Sequence, residues 1–119
     1  MFKFEELNVY QKSLDIVDYV YDLTKKFPRE EMFVLSSQLL RAVNSIPLNI
    51  AEGANSTDKI FANHIRIASD SLKECIVCLT IARRRNYISK EEDNKLREKF
   101  LVIAKMLTNL KKYLKSKSN

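Results

Sequence analysis

Cys75 and Cys78 form the only Cys-x-x-C of the chain, and His64 is its single histidine. These residue types hold zinc or run thiol chemistry, so they are weighed first. A structural zinc site takes four ligands, typically two such cysteine pairs or one pair with two histidines. Here only His64 is available beside the pair, about three turns earlier on what reads as the same helix. Both cysteines fall on apolar stripes, where free cysteine behaves as a small hydrophobe. A reduced core pair is expected, with no metal and no cofactor. His64 has no Ser or Cys partner arranged by any motif. The chain has one glycine, which cannot build a phosphate-cradling loop. No carboxylate pair stands apart from ordinary helix-surface charge, so no enzyme and no catalytic residue is expected.

Two other groupings carry possible function. Gln38, Arg41, Ser45, Asn49 and Glu52 recur at steps of 3, 4, 4 and 3 and so share one helix face. The bland reading is a solvated face or side chains that support a kink; the functional reading is a strip that faces a partner. The second grouping is basic. The chain carries 21 Lys and Arg against 15 Asp and Glu, a formal net charge of +6, which favours nucleic acid or acidic partners.

Elements to position these residues follow from periodicity. Four helices are expected at about 8–26, 30–53, 57–86 and 90–115. In the first, Tyr10, Leu14, Val17 and Tyr21 form one apolar stripe, and Val9, Ile16, Val20, Leu23 and Phe27 a second. The second helix buries Met32, Leu35, Leu39, Val43, Ile46 and Ile50; the third and fourth repeat the pattern from Phe61 to Ala82 and from Leu96 to Leu114. Pro28 ends the first helix. Ser56 or Thr57 caps the third, and Ser89 with Glu92 forms a capping box before the fourth. Short connections favour an all-α, antiparallel up-down-up-down four-helix bundle in a single domain over 1–119. An isolated bundle needs one apolar stripe per helix. The surplus, which also includes Ile60, Ile67, Cys78 and Ile81 on the third helix and Leu101, Val102 and Met106 on the fourth, points to self-association. No apolar run approaches the roughly 20 residues that span a bilayer, and the start "MFKFEEL" has no signal-peptide core, so a cytoplasmic protein without a membrane partner is expected.

Pro47 sits inside the second helix without disturbing its apolar phase, which predicts a kinked continuous helix; a short helix restarting at Pro47 is the alternative. Asn44, Ser45 or water would take up the freed backbone groups. Gly53 is expected to end the helix in left-handed geometry.

The antiparallel order places Lys25, Lys26, Arg29, Arg83, Arg84 and Arg85 at one pole, diluted by Glu30, Glu31, Glu91, Glu92 and Asp93. Lys111, Lys112, Lys115 and Lys117 go to the other pole. Most Tyr and Phe fall on apolar stripes, so exposed aromatics for base stacking are not expected, and a backbone binder fits better than a sequence reader.

The stretch "QLLRAVNSIPLNIAEG", Gln38 to Gly53, with "FEELNVYQKSLDIVDYVYDLTKKFP" before it and "IASDSLKECIVCLTIARRRNYIS" after it, resembles the bacterial four-helix bundle family of 23S rRNA intervening-sequence proteins. The resemblance covers essentially the whole chain. It implies an up-down bundle assembling into a homopentameric ring. Relatives act as accessory proteins of diversity-generating retroelements, where a basic pentamer contacts reverse transcriptase and nucleic acid. After Gly53 this chain has "ANSTDK", shorter in cations than the usual turn, and Glu74-Cys75-Ile76 stands where relatives tend to show Glu-Leu-Glu. The leading expectation is a non-enzymatic ring that binds RNA or DNA through its basic surfaces. The rival is a protein-interaction scaffold that docks a partner enzyme through the Gln38–Glu52 face.

Overall fold

The structure, a computed structural model, describes residues 2–117. It contains α1 (Asn8–Thr24), α2 (Leu35–Ala54), α3 (Asp58–Arg84) and α4 (Lys90–Lys117), and no strand among the described residues. Short 3₁₀ turns, Lys3–Glu6 and Arg29–Glu31, precede α1 and α2. Extents of 47 × 23 × 21 Å fit a two-by-two bundle, because a helix with its side chains is about 10–12 Å across. Consecutive helices pack side by side and α1 closes against α4, the loosest of the four pairings.

The expected stripes supply the core. Ile16 and Val20 of α1, Leu39, Val43, Ile46 and Ile50 of α2, Ile65, Cys75 and Leu79 of α3, and Phe100, Ile103 and Leu107 of α4 are almost wholly shielded from water. In α1 only one of the two stripes reaches the centre. Tyr10, Leu14 and Val17 stay half-buried, and Tyr21 is exposed.

The second helix begins later than its periodicity suggested. After Pro28 the chain tightens, with the Glu31 N–H donating to the Pro28 carbonyl at 2.9 Å and the Met32 N–H to the Arg29 carbonyl at 3.1 Å. Val34, at φ −121° and ψ −94°, is outside helical geometry, so α2 starts at Leu35. Met32, expected in the core, is half exposed as a result, and Phe33 and Val34 are more exposed still.

From Leu35 the helix runs unbroken through a buried Pro47, so no helix restarts there. The Asn44 amide donates to the Leu40 carbonyl at 2.8 Å and to the Tyr21 hydroxyl at 2.9 Å, tying α2 to α1 rather than capping the Val43 carbonyl that Pro47 leaves free.

Gly53 corrects the sequence reading. No glycine has a positive φ, and the helix continues to Ala54. Space, not backbone freedom, selects glycine here. A Cβ at this position would lie 2.8 Å from the Cβ of His64 and 2.8 Å from Cδ1 of Phe61. The left-handed residue is Asn86, with φ 62°. Its N–H donates to the Arg83 carbonyl at 3.1 Å and the Tyr87 N–H to the Ala82 carbonyl at 2.9 Å, closing α3 with a Schellman motif. Thr57 caps the start of α3, its hydroxyl oxygen accepting the Ile60 N–H at 3.2 Å. Ser89 and Glu92 form the expected capping box at 3.1 and 2.8 Å.

Gly53→Ala gains helix propensity of about 1 kcal/mol but meets an overpacking cost of about 1–3 kcal/mol. Urea denaturation is expected to show a net loss for Ala and a larger one for Val. A more stable Gly53→Ala protein would remove the close-approach explanation.

Candidate nucleic-acid interface

Charge along α3 has a period that only the three-dimensional arrangement makes meaningful. Lys59, Arg66 and Lys73 recur every seven residues, two turns or about 10 Å apart, and so fall on one face. That face meets α4. Lys59, Arg66, Lys111 and Lys115 line one depression, and Lys73, Lys111, Lys112 and Lys115 line the next. Together they make one basic groove over a floor that includes Ala62, Leu72, Ala104 and Thr108. Asp70 offsets part of the charge, 3.1 Å from Arg66 and 3.9 Å from Lys73. Lys117 pairs with Asp58 at 3.6 Å. The sequence alone singles out Lys111, Lys112 and Lys115 but not Lys59, Arg66 and Lys73. Their seven-residue spacing was the available signal.

At the opposite end the last turns of α1 and α3 meet, and two of the cations there, Lys25 and Lys26, are paired with acids. Phe27 and Tyr87 pack with ring centroids 5.7 Å apart, and the Tyr87 hydroxyl donates to Glu31 at 2.8 Å, bringing the end of α1 to the end of α3. That bond to a carboxylate pushes the Tyr87 phenol up from its ordinary value. Lys26 pairs with Glu92, and Lys25 lies 3.4 Å from Asp22. Lys26 and the Ser89 backbone hold the Glu92 carboxyl below the usual range. Arg29, Arg84 and Arg85 are exposed and Arg83 is half-buried, among Glu30, Glu31 and Glu91.

Aromatic exposure differs from the sequence reading. Phe2, Tyr19, Tyr21, Phe33 and Tyr113 are all exposed. Tyr113 lies beside the basic groove in sequence, with the Lys117 ammonium 5.1 Å from its ring centre.

The Gln38–Glu52 strip divides in two. Gln38, Arg41 and Glu52 are exposed, whereas Ser45 and Asn49 are half-buried in the seam with α3. Ser71 donates to the Ser45 hydroxyl at 2.8 Å, and the Asn49 amide donates to that hydroxyl at 3.0 Å and to the Ser45 carbonyl at 2.9 Å. This leaves Asn49 Oδ1 to accept from His64 Nδ1 at 3.0 Å, which sets the imidazole tautomer. His64 thus has a packing and hydrogen-bonding role between two helices.

A family model described as 23S rRNA-intervening sequence protein matches residues 5–109. The chain belongs to that family. A crystal structure at 1.70 Å of a protein of unknown function from the S23 ribosomal protein family of Bacteroides thetaiotaomicron is 30% identical to it. The two superpose with a TM-score of 0.81, over 87% of this chain and 98% of that one. A search of curated proteins finds no match. For a 23S rRNA-intervening sequence protein, the Gln38–Gly53 stretch has a clear structural meaning here. Ser45, Asn49 and Gly53 all serve the α2/α3 seam.

Cys75 and Cys78 are buried. Burial is the first cause that pushes both thiols up, with the Glu74 charge adding to it. No group of three or more His, Cys, Asp and Glu among the described residues is placed to hold a metal. Thiolate is the reactive form, so maleimide labelling at neutral pH is expected to be negligible in the native protein and complete in denaturant. Fast labelling of the folded chain would show that α3 does not hold these thiols in the core.

Proposed function

We propose that this protein is a non-enzymatic, self-associating helical bundle that binds the phosphate backbone of RNA, or of DNA, along the α3/α4 groove. The observation that carries this reading is the gathering of Lys59, Arg66, Lys73, Lys111, Lys112 and Lys115 on one elongated face. Cations spaced along a groove neutralise successive phosphates without reading bases. The pole of Lys25, Lys26, Arg29, Arg83, Arg84 and Arg85 contributes less, because acidic neighbours already pair with part of it.

Support for self-association comes from large apolar side chains left on the surface, including Phe33, Leu48, Val77 and Leu101, each more than half exposed. Assembly into a closed ring, five copies as the family resemblance implies, would repeat the basic groove around an axis and multiply its field. Among the described residues no helix is long and apolar enough to cross a membrane, and action in the cytoplasm is part of the same proposal.

A second reading has its own observation. Leu48 is 63% exposed on α2, the helix that carries Gln38, Arg41 and Glu52, and Ile60 is 48% exposed near the start of α3, apolar and polar surface suited to a protein partner such as an enzyme that the bundle assists.

Titration with generic RNA and DNA separates the two. With about six phosphate contacts, affinity is expected to fall roughly a thousandfold between 50 and 200 mM salt, with little sequence preference. Changing Lys59, Lys73, Lys111 and Lys112 together to Glu is expected to abolish binding; changing Arg83, Arg84 and Arg85 to Glu is expected to weaken it far less. If the wild-type protein binds neither nucleic acid at low salt, the protein-docking reading replaces this one.

A further inference from the structure

The cation groove between α3 and α4 is narrow and bridged near both ends. The Arg97 guanidinium donates to the Thr80 hydroxyl at 2.7 Å near one end, and Lys117 meets Asp58 at 3.6 Å near the other. Both contacts tie helix to helix, and helices packed in this way lie about 8–10 Å apart, axis to axis. Neither helix is interrupted between these bridges. From Lys59 to Lys73 the α3 row of cations runs about 21 Å, with Lys111, Lys112 and Lys115 across from it. Among the described residues Lys59, Lys111 and Lys112 form no ion pair. Asp70 takes up part of the charge of Arg66 and Lys73, at 3.1 and 3.9 Å, but no carboxylate lines the groove itself. Between the two rows the floor is made of small or carbon-faced residues, Ala62, Ser69, Leu72 and Ala104.

Double and single strands meet such a trough differently. A duplex is stiff over about 150 base pairs, and its phosphates wind around its axis rather than along a line. It is also the broader body, since its major groove, about 12 Å wide, takes in a whole α-helix. It therefore rests on the rim of a trough one helix spacing wide and touches cations only where its backbone crosses. Nor is α3 free to enter a major groove, because α2 and α4 pack along both its sides. A single strand bends at every nucleotide. It can follow the straight track, hand successive phosphates to both rows of cations and lay unpaired bases on the floor between them.

We infer that the α3/α4 groove is a track for single-stranded nucleic acid and discriminates against duplexes. This rests on the phosphate-binding function proposed above and adds which form of the polymer the groove takes. The phosphates lie between the α3 and α4 cations, and the strand runs parallel to the helix axes over the Ala104 and Thr108 side of the floor.

The test is fluorescence anisotropy of the full chain at low salt. One probe is an unstructured single strand of about twelve nucleotides, a length within the range that such grooves cover; the other is the duplex of the same sequence. The single strand is expected to bind about tenfold tighter or more, because only it reaches both rows and the floor. Thr108→Leu adds bulk to the floor without changing charge, at a position already exposed. Helical circular dichroism and melting of this variant are expected to match the wild type. Its affinity for the single strand is expected to fall several-fold, while the weaker duplex binding stays unchanged. A duplex bound as tightly as the single strand, or a Thr108→Leu protein that loses affinity for neither or for both alike, overturns this inference and leaves phosphate binding standing. Failure of the wild type to bind either probe overturns both. Displacement of the single strand by poly-glutamate at equal charge concentration would make an acidic peptide the occupant and likewise overturn both.

Discussion

The bundle depends on how closely α2 and α3 approach at Gly53. Two helices can come this near only where one offers no side chain, and the Cβ of His64 and the ring of Phe61 occupy the space that a larger residue would claim. The same approach brings Asn49 within reach of His64 and Ser45 within reach of Ser71. Polar groups half withdrawn from water are costly unless paired, and this seam pairs them in a chain that crosses from one helix to the other. The register of α3 against α2 is set there. The register of α3 in turn decides which of its faces meets α4, and hence where Lys59, Arg66 and Lys73 lie.

The surface then divides by charge. One face is a groove of cations, one end is a mixture of ion-paired cations and acids, and the α1 side carries aspartates. A net charge of +6 conceals that division. Long-range attraction of polyanions depends on local density rather than on the total, which is why the proposed function is built on the cations gathered along the α3/α4 groove.

Much of the fold was legible in the sequence because apolar residues at steps of three and four can only be reconciled with helices that bury one side. The stripes from Leu39 to Ile50 and from Phe100 to Leu114 are of this kind, as are the caps at Thr57 and Ser89, which are local chemistry. Gly53 reads as a helix terminator because a neighbour from another helix leaves no trace in the local sequence. Met32 reads as a core residue because its spacing fits the stripe; the 3₁₀ turn after Pro28 shifts it out of phase. Of the candidate interface, Lys111, Lys112 and Lys115 stood out as a run, whereas Lys59, Arg66 and Lys73 become a group only when α4 lies beside them. The exposure of Tyr113 was hidden for the same reason.

The α2/α3 seam also bears on the order of assembly in time. Its two helices are joined by three residues, from Asn55 to Thr57, so closing that hairpin costs little chain entropy. It is the natural first structure to form, and local pairings of this sort make helical bundles fast folders. The α1–α4 pairing joins the two ends of the chain and is the least closely packed. Such a pairing is expected to close last and open first, so amide hydrogens along the outer helices are expected to exchange before those of the central hairpin.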